Sequence, residues 1–196
     1  MDRSWIRPFL AATTVAVALA VPAVTTAQSP TPVKTPTAVG TGGAAATVDL
    51  LATQAAVEAL RDGANAVDAV VAAAAVLGVT EPFSCGIGGG GFMVIRTADG
   101  AVTTIDGPET APHAMQPDSF WEGGVPLPFN SARFSGLSAG VPGTVRSWDE
   151  ALRRYGTMEL AEALRPAIEV ARQGFVVDQT FFDQTLPNVD FFDDVP

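Results

Sequence analysis

The segment from Ala66 to Leu77 reads Ala-Val-Asp-Ala-Val-Val-Ala-Ala-Ala-Ala-Val-Leu, apolar on every side apart from a single Asp. Asn65 stands where an N-cap belongs. Asp68, three residues later, completes a capping-box variant and suits the positive end of the helix dipole. A helix without a polar face is a buried helix, and its Ala side chains let neighbouring backbones come close. A small bundle cannot cover such a helix all round, whereas a layered architecture does. This one segment therefore points to a layered architecture.

The flanking sequence supplies the other layers. A helix is expected from about Asp49 to Arg61, with Leu51, Ala55 and Leu60 near one face and Gly63 as its stop. Phe92 to Arg96 and Val102 to Ile105 flank Ala98-Asp99-Gly100, the signature of a hairpin. Residues 107–141 are rich in Pro, Gly and Ser and read as loops. Thr144 is expected to cap a helix from Val145 to Tyr155 that ends at Gly156. Thr157 is expected to cap another from Met158, interrupted at Pro166 and finished by Gly174. Val176-Val177 reads as a short extended stretch, and Asp178 as the cap of a last helix. From Asp178 to Pro196 there are five Asp and no basic residue, and Phe181, Phe182, Phe191 and Phe192 come in pairs. Aromatic residues at that density pack against something, so more protein is expected to follow.

The amino-terminal region reads differently. Arg3 and Arg7 precede an uncharged run from Phe9 to Ala27, with small residues at Thr25 and Ala27. This is the pattern of a signal peptide over residues 1–27, and it implies export to the cell envelope, the periplasm or the medium. Cleavage after Ala20 is the rival position. Pro22 and the many Thr and Ala residues make the run a weak spanning helix, so no stable membrane span is expected. Residues 28–43, with Pro30, Pro32 and Pro36 among Thr residues, read as an extended linker. The foldable domain is then 44–196.

Charge and composition remove several classes of function. The chain carries 11 Lys and Arg against 21 Asp and Glu, a formal net charge of −10. Such a surface repels phosphate backbones, so no nucleic-acid partner is expected. With one His and one Cys, a zinc site built from those ligands lacks enough donors, and a disulfide within the chain is impossible.

The common catalytic devices are also incomplete. A Ser-His-Asp triad has only His113 as its base, and that residue lies in a loop-like stretch with no nucleophile elbow elsewhere. Cys85 has no specific activating partner in the sequence and reads as a small packed residue. Gly86-x-Gly88-x-x-Gly91 fits a phosphate-binding spacing, but a strand follows it where a helix N-terminus would be needed. The glycines instead allow positive φ and close backbone approach at the entrance of a central strand. One device needs neither His nor Cys: a Thr, Ser or Cys freed as the first residue of a chain, using its own α-amine as base. Gln28 cannot serve, and residues 44–196 carry no mark of self-cleavage.

Six segments, in order, carry a resemblance. They are Leu60-Arg61-Asp62-Gly63-Ala64-Asn65-Ala66-Val67-Asp68-Ala69, Gly86-Ile87-Gly88-Gly89-Gly90-Gly91-Phe92-Met93 and Ile105-Asp106-Gly107-Pro108-Glu109-Thr110-Ala111-Pro112. Gly140-Val141-Pro142-Gly143-Thr144, Tyr155-Gly156-Thr157-Met158 and Ala171-Arg172-Gln173-Gly174-Phe175 follow. Together they resemble the γ-glutamyltransferase (glutathione hydrolase) family over about residues 47–185.

The resemblance implies an α/β (α+β) fold, the N-terminal-nucleophile hydrolase α-β-β-α sandwich, of which this chain would hold only the amino-terminal portion. It implies a precursor that cleaves itself into two chains. The nucleophilic Thr would open the small chain, beyond position 196, and would attack a γ-glutamyl amide such as glutathione. The expected partners are then that substrate and the missing small chain, and no cofactor is implied. This chain alone is expected to be inactive, with no catalytic residue of its own. Glu109 is the substrate-binding candidate, facing the donor's amino group. One departure stands beside it: the family's carboxylate-binding Arg position is Pro108 here, which offers neither charge nor donor. Two alternatives follow, a related acylase with a different acyl donor and a secreted non-catalytic binding remnant.

Overall fold

A computed structural model describes residues 37–191. The signal peptide assigned to residues 1–27 and most of the linker lie outside the described residues, and 37–43 are exposed without helix or strand. Helix α1, Leu50–Arg61, starts at Asp49, whose side chain accepts the Ala52 N–H, and it is closed by Gly63 at φ 95°. Helix α2, Ala66–Thr80, carries the full capping box between Asn65 and Asp68 and runs three residues past Leu77. Its apolar sequence continues through Val79, so the helix stops only where Pro82 approaches. A short helix α3, Pro82–Cys85, follows directly.

Strands β1, Gly91–Arg96, and β2, Val102–Gly107, pair antiparallel with Met93 opposite Ile105 and Val94 opposite Thr104. Gly100, at φ 89°, makes the turn. The strand period of two sends Ile95 and Ile105 inward, where they are buried, and leaves Phe92, Val94 and Val102 exposed on the other face. Within residues 107–141 the chain forms a two-residue ribbon, β3 (Trp121–Glu122) with β4 (Val125–Pro126), and a short helix α4, Phe129–Arg133.

Helix α5, Thr144–Tyr155, is amphipathic. Ser147, Trp148, Ala151 and Leu152 are buried, while Asp149, Glu150, Arg153 and Arg154 pair on its outer side. These exposed pairs contribute little to stability. Thr144 is the first helical residue and not the cap: Gly143 takes that place without a side-chain bond. Helix α6 is Leu160–Ala163, α7 is Arg165–Gln173 and α8 is Gln179–Thr185. Pro166 sits in the first turn of α7, where its missing N–H costs nothing, so it divides the two helices as its position implies. Gly174, at φ 78°, closes α7, and Asp178 caps α8 by accepting the Phe181 N–H. Val176-Val177 forms no strand.

Helix α2 is the centre of the core. It packs most extensively on α1, then on α7 and α5, through Ala55, Ala59, Val71, Val76, Trp148, Leu152 and Ala167. Val67, Ala151, Ile95 and Ile105 join α2 and α5 to the inner face of the hairpin. The result is one helical layer against one side of an antiparallel sheet. No described helix is long and apolar enough to cross a membrane.

Candidate functional site

Three of the motif segments meet at the amino-terminal end of α5. The Gly89 carbonyl accepts the N–H groups of Gly143 and Thr144 at 3.0 and 3.1 Å, which ties the glycine run to the first turn of that helix. Thr110 and Val141 exchange backbone hydrogen bonds of 3.3 and 2.8 Å, so the strand leaving β2 is held from its other side. No glycine from Gly86 to Gly91 has positive φ. Close approach, the second reason given for them, is the one the fold uses. A Cβ on Gly90 would stand 2.5 Å from the Gly107 carbonyl oxygen and 2.5 Å from Pro108 Cα. Among the described residues β1 pairs with β2, so the glycines lead into a hairpin strand.

Glu109 lies in the middle of this junction. A Cβ on Gly89 would come within 3.1 Å of its Oε1, and one on Gly140 within 2.7 Å of its Cβ. The missing side chain of Gly140 thus makes room for its stem, and that of Gly89 for its carboxylate. Its carboxylate is exposed and lines a cleft of about 580 Å³, walled by Val70, Ala74 and Leu77 of α2 and by Phe83, Phe92 and Trp148. Val70 is exposed and Ala74 and Leu77 are only partly buried, so this stripe of α2 is its least covered side. Pro108, one residue earlier, lines a separate groove with Arg146 and Glu150. The two adjacent candidate positions therefore serve different depressions.

Cys85 lies half-buried at the end of α3 on the cleft wall. Burial pushes its thiol pKa up, and the Glu81 carboxylate adds to the effect, so the thiol form is favoured. That environment suits a packed residue, whereas His113 lies exposed in a loop.

A second junction holds the other end of α5, and the sequence reading of Asp68 as a capping residue misses most of it. Asp68 is fully buried. Its Oδ2 accepts the Asn65 N–H at 2.9 Å and the Thr157 hydroxyl at 2.7 Å; its Oδ1 accepts the Thr157 N–H at 2.8 Å and the Met158 N–H at 3.0 Å. Thr157 is accordingly not a helix cap. Asn65 Nδ2 donates to the Tyr155 carbonyl at 2.8 Å. Gly156 is needed because a Cβ there would stand 2.7 Å from Asp68 Oδ1.

Burial raises the Asp68 pKa, but hydrogen bonds from Met158, Thr157 and Asn65 outweigh it and the net shift is downward. A carboxyl lowered in the folded state contributes stability that is whole above its unfolded value, about 3.9, and that drains away as the pH falls through the folded value. Denaturant midpoints of the chain are expected to hold from pH 7 to about 5 and to fall below that. Asp68→Asn should start lower and show a shallower acid slope.

The sequence model of the gamma-glutamyltranspeptidase family matches residues 52–196. The glutathione hydrolase proenzyme of Escherichia coli (strain K12) is 41% identical over 153 residues, covering 74% of this chain and 26% of that protein. The acylase ACY 1 proenzyme of Pseudomonas sp. (strain V22) is 40% identical over 146 residues, covering 71% of this chain and 26% of that one. The gamma-glutamyltranspeptidase structure of Helicobacter pylori superposes with a TM-score of 0.76 at 32% identity, over 80% of this chain and 45% of that chain. The chain spans about a quarter of the length of the curated relatives it matches.

Proposed function

The chain belongs to the gamma-glutamyltranspeptidase family, and on that premise we propose that it forms the amino-terminal part of an exported enzyme that cleaves γ-glutamyl amides. Its helical layer and hairpin are part of the N-terminal-nucleophile hydrolase fold of the solved gamma-glutamyltranspeptidases. In the proposed reaction a Thr at the start of a second chain attacks the γ-carbonyl carbon, and its own α-amine takes the hydroxyl proton. The amide C–N bond breaks, the leaving amine takes that proton, and the acyl group remains as an ester on the Thr. Water or an amino acid then takes the acyl group and frees the hydroxyl.

This chain's share is to hold the donor. The observation that carries the reading is the packing of three motif segments around Glu109, an exposed residue that lines the cleft. Glu109 receives the donor's ammonium group. Pro108 favours a second reading, an acylase with a different donor, because proline presents no cation to a donor carboxylate. The matched ACY 1 relative is named an acylase.

The test uses γ-glutamyl anilide. The purified chain alone is expected to release no product, and the same chain continued through the nucleophilic Thr is expected to turn it over weakly. Pro108→Arg in that longer polypeptide should raise kcat/KM about 30- to 1,000-fold, the equivalent of a restored charged hydrogen-bond partner. Strong turnover with Pro108 in place would refute the reading of this position, and turnover by the chain alone would refute the missing nucleophile.

A further inference from the structure

The lining of the cleft is specific about charge. Glu109 is the only ionisable acid or base among its side chains apart from the Cys85 thiol. The other lining residues carry no charge: Val70, Leu77, Phe83, Phe92 and Trp148 are apolar, and Ser84, Thr144 and Ser147 add hydroxyls. Arg146 lines the other groove, beside Pro108, and has Asp149 at 4.0 Å. A carboxylate entering the cleft would thus meet a like charge and no cation. An ammonium group would meet the Glu109 carboxylate, with aromatic faces available beside it.

Shape agrees with charge. The volume of about 580 Å³ falls in the range of small-molecule sites. Val70 and Phe92 remain 48% and 75% exposed, so apolar surface there is open to an incoming group. The Glu109 stem lies against Gly140 and its carboxylate against Gly89, and the residue lines the cleft.

We propose that this cleft takes a donor carrying a primary ammonium group on an apolar, aryl-sized body and no carboxylate beside it. The proposal rests on the second reading above, an acylase with a different donor, and narrows that donor to an amine-bearing apolar acyl group.

Ligand-observed NMR on the full chain tests it with three probes of matched size: 2-phenylethylamine, 2-phenylethanol and 3-phenylpropanoate. The amine is expected to bind about fivefold more tightly than the alcohol, as a part-exposed ion pair allows, and the acid more weakly than either. Glu109→Gln should abolish the preference for the amine and leave alcohol binding intact, which separates the charge from the apolar walls. Equal binding of the three probes, preference for the acid, or an amine preference that survives Glu109→Gln would overturn the proposal. So would failure of every probe to bind, the result expected if further polypeptide and not a small molecule fills the cleft. The two readings fail separately. Anilide turnover without amine preference sinks this proposal alone, and amine preference without turnover of any donor by the longer polypeptide sinks the enzymatic reading alone.

Discussion

Asp68→Ala is expected to cost the chain about 3–5 kcal/mol, because several buried donors lose their acceptor at once. The substitution strips the acceptor from the N–H groups of Asn65, Thr157 and Met158 and from the Thr157 hydroxyl. Each polar group left unpaired in a dry place costs about 1–3 kcal/mol, although the four do not add simply. Asp68→Asn should cost less, about 2 kcal/mol, because one oxygen still accepts. Its amide group would face either the Asn65 N–H, which cannot turn away, or the Thr157 and Met158 N–H groups. Urea unfolding followed by far-UV circular dichroism measures both variants. A midpoint for Asp68→Ala within error of the parent would show that the junction is solvated and not buried.

The glycine junction gives the second large effect. A Cβ on Gly143 would sit 2.0 Å from the Gly107 carbonyl oxygen and 2.8 Å from its carbon. Both neighbours are backbone, so the end of β2 must move or the first turn of α5 must tilt. Gly143→Ala and Gly90→Ala are each expected to destabilise by about 3 kcal/mol, at the upper end of overpacking costs. Gly88 and Gly91 have open space where a Cβ would go and no positive φ. Gly88→Ala should therefore stay within about 0.5 kcal/mol of the parent. The same urea experiment on these variants checks the contrast. Equal losses at Gly88 and Gly90 would mean that backbone entropy, and not close approach, accounts for the glycines.

The contrast between these junctions also shows what a sequence discloses. The Asn65 capping box, the Gly63 and Gly174 stops, the Asp178 cap and the hairpin around Gly100 depend on residues within a few positions of one another, and all were legible. Asp68 was legible only as far as its own helix. Its bonds to Thr157 and Met158 join positions 89 and 90 apart, which no local pattern reports. The same distance misled the reading of Thr157, a good cap by type whose hydroxyl was already committed to Asp68. Glu109 could be singled out by the resemblance. That it and Pro108 line different depressions depends on how three segments fold together.

The pairing of Asn65 and Asp68 with Tyr155, Gly156 and Thr157 has a consequence for how such a chain can vary. A larger residue at 156 would strike the Asp68 carboxylate and also the Leu152 backbone, at 2.8 and 2.9 Å, so it needs both to shift, and the carboxylate can go only after Thr157 has lost its need for it. Tolerance at any one of these sites is thus conditional on the others, and single replacements will misstate it. Drift through this corner of the fold requires coordinated changes, with intermediates less fit than either endpoint.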